Sequence, residues 1–209
     1  MTTSNLPKFE VNILKNMWVS CSNQTAKALS EMLNKKVKTS SISPKVLLIN
    51  KIPKLLNPRD VSTTILYMQL IDTVKGVIVI SSPLKNILRM ADIFLRKESG
   101  YFKDLSDENI PVIKELASVL AGYYVTALNN SFGTNYELSE PFLSVNPYRA
   151  IEDFDFGPVY VEEIHVLMFK TSFNIAQEGI KKDIILLFRE ESTKELLEMI
   201  SSKISFVKD

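Results

Sequence analysis

The chain has 209 residues, 45% of them hydrophobic and 23% charged, with a formal net charge of +1. That composition is ordinary for a globular fold with a sizeable core and excludes a disordered or strongly polycationic chain. One cysteine and one histidine, Cys21 and His165, exclude an intramolecular disulfide framework and any metal site needing two histidines or several thiolates. The charge is unevenly spread: residues 1–100 hold 15 Lys or Arg against 6 Asp or Glu (15 − 6 = +9), and residues 101–209 hold 10 against 18 (10 − 18 = −8). This asymmetry leaves two readings open, a basic face for an acidic partner or self-association, and a fold that interleaves the two halves and mixes their charges.

Taken in order, Lys8–Leu33 reads as a long helix with one polar face. Lys36–Asn50 is rich in β-branched residues and is interrupted at Ser43-Pro44, which predicts a strand, a kink and a second extended piece. Ile52–Asn57 reads as a short helical turn stopped by Pro58. Ser62–Asp72 and Gly76–Ser81 read as a hairpin, and Pro83–Lys97 as an amphipathic helix with proline in its first turn. In the second half, Ser106 is the N-cap candidate of a helix that spans Ile113–Asn129. Tyr136–Leu138 starts a strand broken by Pro141, and Asn146–Phe156 is irregular with room for one helical turn. Tyr160–Asn174 and Asp183–Phe188 read as paired strands and Ser192–Ser202 as the last helix. Strands arriving consecutively favour antiparallel pairing.

The helix Ile113–Asn129 is the most informative stretch. Ile113, Leu116, Leu120 and Ala127 fall on one apolar face, with Tyr123 and Tyr124 at its edge, while Glu115, Ser118 and Gly122 line up opposite. At an offset of 127 − 28 = 99, Ala127-Leu128-Asn129 echoes Ala28-Leu29-Ser30, and Leu14, Met17 and Cys21 match Ile113, Leu116 and Leu120. An internal repeat follows, the first copy over about residues 8–100 and the second over about 106–205. It also places Cys21 on an apolar face, as a buried structural thiol.

The stretch Lys114–Gly133 resembles the second signature helix of the CheC-type chemotaxis phosphatases, the CheC/CheX/FliY superfamily, and Asn16–Val37 resembles its companion. Val74–Leu95 is similar to the family's strand-then-helix, and Asp183–Ile200 to its repeat near the end of the chain. The resemblance implies an α+β fold: a single domain over 1–209, built from two pseudo-symmetric repeats, with an antiparallel sheet packed against long helices. It also implies a chemotaxis or motility role beside a phosphorylated CheY-like response regulator. The family's motif is Glu-x-x-Asn, in which Glu docks the regulator and the Asn amide orients the water that attacks the aspartyl-phosphate. Carried over, the second motif is Glu115 with Ser118 in place of Asn, half-retained, and Gly122 gives a partner room to approach. The first motif is degenerate, with Asn16 for Glu and Val19 for Asn. Water positioning matters because phosphoryl transfer needs in-line geometry. A serine hydroxyl is shorter than an amide and offers fewer fixed hydrogen-bonding groups, and valine offers none. Two readings follow: a weak or lost aspartyl-phosphate phosphatase, or a non-catalytic adaptor that binds the regulator, a CheD-type deamidase or a flagellar switch component. No cofactor is expected from the chain itself; Mg2+ would belong to the response regulator. A homodimer stays open.

Other patterns carry less. Asp155-Phe156-Gly157 lacks the remaining protein-kinase motifs. Glu152, Asp153, Asp155, Glu162 and Glu163 lack the spacing of a calcium loop. The lysines between Lys35 and Lys54 have no interleaved aromatics, so nucleic acid is not expected. No secretory signal and no apolar run long enough to span a bilayer are seen, so a cytoplasmic protein is expected.

Overall fold

The computed structural model describes residues 8–56, 62–72, 74–154, 156, 164–189, 192, 195, 196 and 198. Helix α1 (Lys8–Leu33) buries Leu14, Trp18, Cys21, Leu29 and Leu33, a spacing of three and four that puts all five on one stripe. Asn34 ends it with φ +49, in the left-handed region that asparagine tolerates better than most residues. The chain then runs along a sheet edge as β1 (Lys38–Ser41) and β2 (Lys45–Leu48), broken at Ser43-Pro44 as the sequence predicts. A short 3-10 turn leads into α2 (Ile52–Leu56).

Strands β3 (Thr63–Ile71) and β4 (Gly76–Pro83) form the expected hairpin, and α3 (Leu84–Phe94) follows directly. The link to the second half is fastened by Asp92. Its buried carboxylate accepts the N–H groups of Gly100 (2.8 Å) and Phe102 (3.1 Å). Helix α4 (Ile110–Phe132) begins with Pro111 in its first turn and ends on Gly133 at φ +65, whose N–H bonds the Asn129 carbonyl at 2.7 Å. Ser106 is not its N-cap. The buried Asn109 precedes the helix instead, its side chain accepting from the Ser106 N–H and donating to the Asp104 carbonyl, so the extra turn belongs to the preceding loop.

The region after Pro141 is more regular than the sequence suggests. Strand β5 (Glu137–Leu138) is short, but β6 (Phe142–Ser144) resumes pairing beyond the proline. Helix α5 (Pro147–Glu152) is then capped by the Asn146 side chain, which accepts the N–H groups of Tyr148 and Arg149. Strand β7 (His165–Ile175) and β8 (Ile180–Arg189) follow; β8 starts three residues earlier than expected, at the end of a tight 3-10 turn. Residues 160–163 of the expected long strand and 193, 194, 197 and 199–202 of the expected last helix lie outside the described residues, as do Asp155 and Gly157.

All strands pair antiparallel in one sheet of order β1-β7-β8-β4-β3-β5, with β2 also on β7 and β6 also on β3. The order reads alike from both ends, since the edge pair of each half lies on the long third strand of the other. Both faces are covered, which is why Val77–Ile80 of β4 and Ile184–Phe188 of β8 are continuous apolar runs. One core packs α1, α3 and α4 on the sheet, with Trp18 centred 4.7 Å from Tyr124 and 5.0 Å from Phe169. The other packs α2 and α5 on the opposite face through Ile52, Leu56, Ile151 and Phe154. The halves are also stitched by charge: Glu178 in the β7–β8 turn bonds Lys35 (2.8 Å) and Arg89 (2.5 Å), and these cations hold its carboxyl below the usual range.

Candidate functional site on the paired helices

The helices α1 and α4 pack against each other over the sheet and turn their remaining faces outward. On α4, Ile113, Leu116, Leu120 and Ala127 are buried as expected. Tyr124, expected at the edge of that face, is fully buried, whereas its neighbour Tyr123 is 38% exposed. The reason is a polar pocket in the core: the Tyr124 hydroxyl meets Ser22 Oγ (2.7 Å) and Thr171 Oγ1 (3.2 Å), and Ser41 Oγ closes the group at 2.9–3.0 Å from the other two. Four hydroxyls from α1, β1, α4 and β7 satisfy one another there, a result of tertiary packing that periodicity does not show. Burial pushes the Tyr124 hydroxyl pKa well above its ordinary value. Cys21 is also buried; its thiol lies 3.4 Å from the Ala127 carbonyl, and burial raises its pKa. It is a packing residue, not a nucleophile.

Across the outward stripe of α4, Glu115 is exposed, and Ser118 and Gly122 are half-buried. Nothing lies within 4 Å of where a Gly122 Cβ would stand, so the glycine leaves open space above the helix. The Ser118 hydroxyl donates to the Lys114 carbonyl at 3.1 Å, one turn back along its own helix. On α1, Asn16 is exposed and Val19 half-buried. The helix therefore presents a carboxylate, an inward-bonded hydroxyl and a gap, and its companion presents an amide and an apolar side chain. Asn23, one turn beyond Val19, is an exposed amide that the motif comparison passed over; its Oδ1 accepts from Thr39 Oγ1 at 3.1 Å. Its position, 122 − 99 = 23, matches Gly122 at the offset of 99 read from the sequence, which is the signal that could have drawn attention to it.

Among the described residues, no group of three or more His, Cys, Asp or Glu is placed to hold a metal ion, and no helix is long and apolar enough to cross a membrane. The predicted positions give this face a carboxylate (Glu115), a hydroxyl (Ser118) and an amide (Asn16).

No family model matches the chain, and no curated protein matches it in sequence. Solved structures do match. Thermotoga maritima FliY superposes with a TM-score of 0.70 at 16% identity, over 95% of this chain and 98% of that one. FliM in an H. pylori FliG–FliM complex gives a TM-score of 0.64 at 10% identity, over 92% and 100%. A CheC-like superfamily protein from Shewanella sp. PV-4 gives 0.55 at 13% identity, over 83% and 97%. The chain thus has the α+β fold of these structures.

Proposed function

We propose that this chain is a binding module of chemotaxis or flagellar motility that holds a phosphorylated CheY-like response regulator on the α1/α4 face, with phosphatase activity weak or lost. One observation carries the reading: neither helix presents an amide at the water-orienting position of its motif. Ser118 spends its only hydrogen on the Lys114 carbonyl, and Val19 has none to offer. Glu115 remains exposed, and Gly122 leaves room for close approach. A docking surface is retained while the catalytic geometry is not. Any residual activity would be aspartyl-phosphate hydrolysis with the regulator's own Mg2+.

A second reading is a non-catalytic adaptor whose partner is a flagellar-switch component or a CheD-type deamidase. The likeness to FliM in a FliG–FliM complex supports the switch branch, since it is a shared architecture seen there in a protein that binds another protein. The test is capture of a phosphorylated CheY-like regulator and of a FliG-type switch protein, measured by interferometry on immobilised chain. The first reading expects the regulator to bind, Glu115→Ala to weaken it about tenfold or more, and Gly122→Gln to do the same by filling the gap. Binding of the switch protein alone selects the second reading. Binding that ignores both substitutions moves the docking surface off α4.

A further inference from the structure

On the sheet face opposite α1 and α4, β2 and α2 enclose a groove of about 570 Å3. Leu47 and Leu55 line it with the almost fully buried Met168, and Ile42 forms a lip that is 38% exposed. Lys45, Lys51 and Lys54 stand around this apolar floor, all exposed. No carboxylate among the described residues pairs with any of the three. Lys170, at the far side, is neutralised by Asp183 at 2.7 Å.

The corresponding place in the other half of the chain carries different side chains. Strand β6 lies on β3 as β2 lies on β7, and α5 follows β6 as α2 follows β2. There, Phe142 stacks on Tyr67 with centroids 5.4 Å apart and planes 15° apart, and the Tyr67 hydroxyl donates to Asp153 at 2.5 Å. That side carries an aromatic pair and a carboxylate. In the first half, Ser43 and Pro44 break the edge strand, lysines replace the acid, and the apolar floor stays open.

We infer that the β2–α2 groove docks an acidic segment of a partner protein, with one aromatic or aliphatic anchor over Leu47 and Met168 and carboxylates against Lys51 and Lys54. Charge complementarity fixes the sign of the occupant. The apolar floor requires an anchor, because lysines alone would serve any polyanion equally. Nucleic acid fits poorly, since the floor is aliphatic and offers no ring on which a base would stack. The groove lies on the other face of the sheet from Glu115, so the inference stands apart from the regulator-binding reading.

The probe is a dye-labelled acidic peptide with a central Phe-x-x-Leu, titrated with the full chain by fluorescence anisotropy. The expected result is saturable binding that weakens with salt. Lys51→Glu with Lys54→Glu should weaken it about tenfold or more, two exposed attractions becoming repulsions. Leu55→Gln is a second variant that leaves the charges in place and should also weaken binding. Unchanged melting temperatures confirm that the variants are folded, and Glu115→Ala should leave peptide affinity unaltered. The inference is overturned if the charge reversal changes affinity less than about twofold, if polyglutamate or a single-stranded oligonucleotide binds as tightly, or if the peptide fails to bind. A wild-type chain that dimerises where the charge-reversed one does not, without peptide binding, would assign the groove to a second copy instead.

Discussion

Replacing Lys182 by methionine should stabilise the protein, and by an amount that depends on pH. Lys182 lies on β8, is 2% exposed, and its Nζ has no hydrogen-bond partner among the described residues. Its cross-strand neighbour is Phe173, whose ring centroid is 5.9 Å from the amine. A cation above a ring gains about 1–2 kcal/mol. Taking an unpaired ammonium out of water costs several, so desolvation wins and the pKa falls from 10.5 to about 7. The sign follows from linkage. Between pH 7 and 10.5 the unfolded chain holds a proton that the folded chain has lost, so stability rises with pH through that window. Below it, the penalty is present in full. A shift of this size corresponds to roughly 3–5 kcal/mol at about 1.4 kcal/mol per unit. Methionine has similar length and no charge, so Lys182→Met should gain about 3 kcal/mol at pH 6, a melting-point rise of roughly 6–12 °C for a chain of this size. Thermal melts of both proteins at pH 6, 8 and 10 measure the difference. It should shrink steadily toward pH 10. A variant no more stable than wild type at pH 6, or a gain that does not change with pH, would refute the reasoning.

Other substitutions test the packing. A Cβ on Gly76 would stand 2.8 Å from two ring carbons of Phe188 and 3.0 Å from the Leu187 carbonyl oxygen, so Gly76→Ala should cost about 1–3 kcal/mol in urea unfolding. Gly122→Ala meets open space inside a helix and should add up to about 1 kcal/mol in the same assay, separating its effect on partner binding from any loss of fold. Tyr124→Phe removes one member of the buried hydroxyl group and leaves Ser22 and Thr171 short of a partner; a loss of about 1–2 kcal/mol is expected by the same measurement.

Much of the fold can be read from local rules. The matches Leu14, Met17 and Cys21 find the buried face of α1 to within one residue: Leu14 and Cys21 are buried, but Met17 is half-buried and its neighbour Trp18 takes the core position; Ser43-Pro44 predicts the break between β1 and β2. Strand β6 is hidden because Pro141 looks like a breaker, whereas the helical turn expected within Asn146–Phe156 is α5, which starts on Pro147 where a missing N–H costs nothing. Tyr124 and Lys182 are legible only once the chain is folded: polar residues reach the core when cross-strand and cross-helix neighbours decide their surroundings. The exposed Glu115 and the open space above Gly122 agree with the sequence reading, but the inward bond of Ser118 depends on rotamer choice, which no sequence motif states. The lysines from Lys45 to Lys54 show in the sequence only as part of a basic half; the aliphatic floor beside them includes Met168, more than a hundred residues away.

The central claim, a docking face without useful catalysis, is tested most directly by the decay of a phosphorylated CheY-like regulator with this chain at catalytic and at stoichiometric amounts. The account predicts that catalytic amounts leave decay at its spontaneous rate while a complex forms at stoichiometric amounts, and that Ser118→Asn then speeds decay many-fold by restoring an amide beside Glu115. Rapid decay under catalytic amounts of the wild-type chain would contradict it and make the Ser118 hydroxyl a working substitute for the amide.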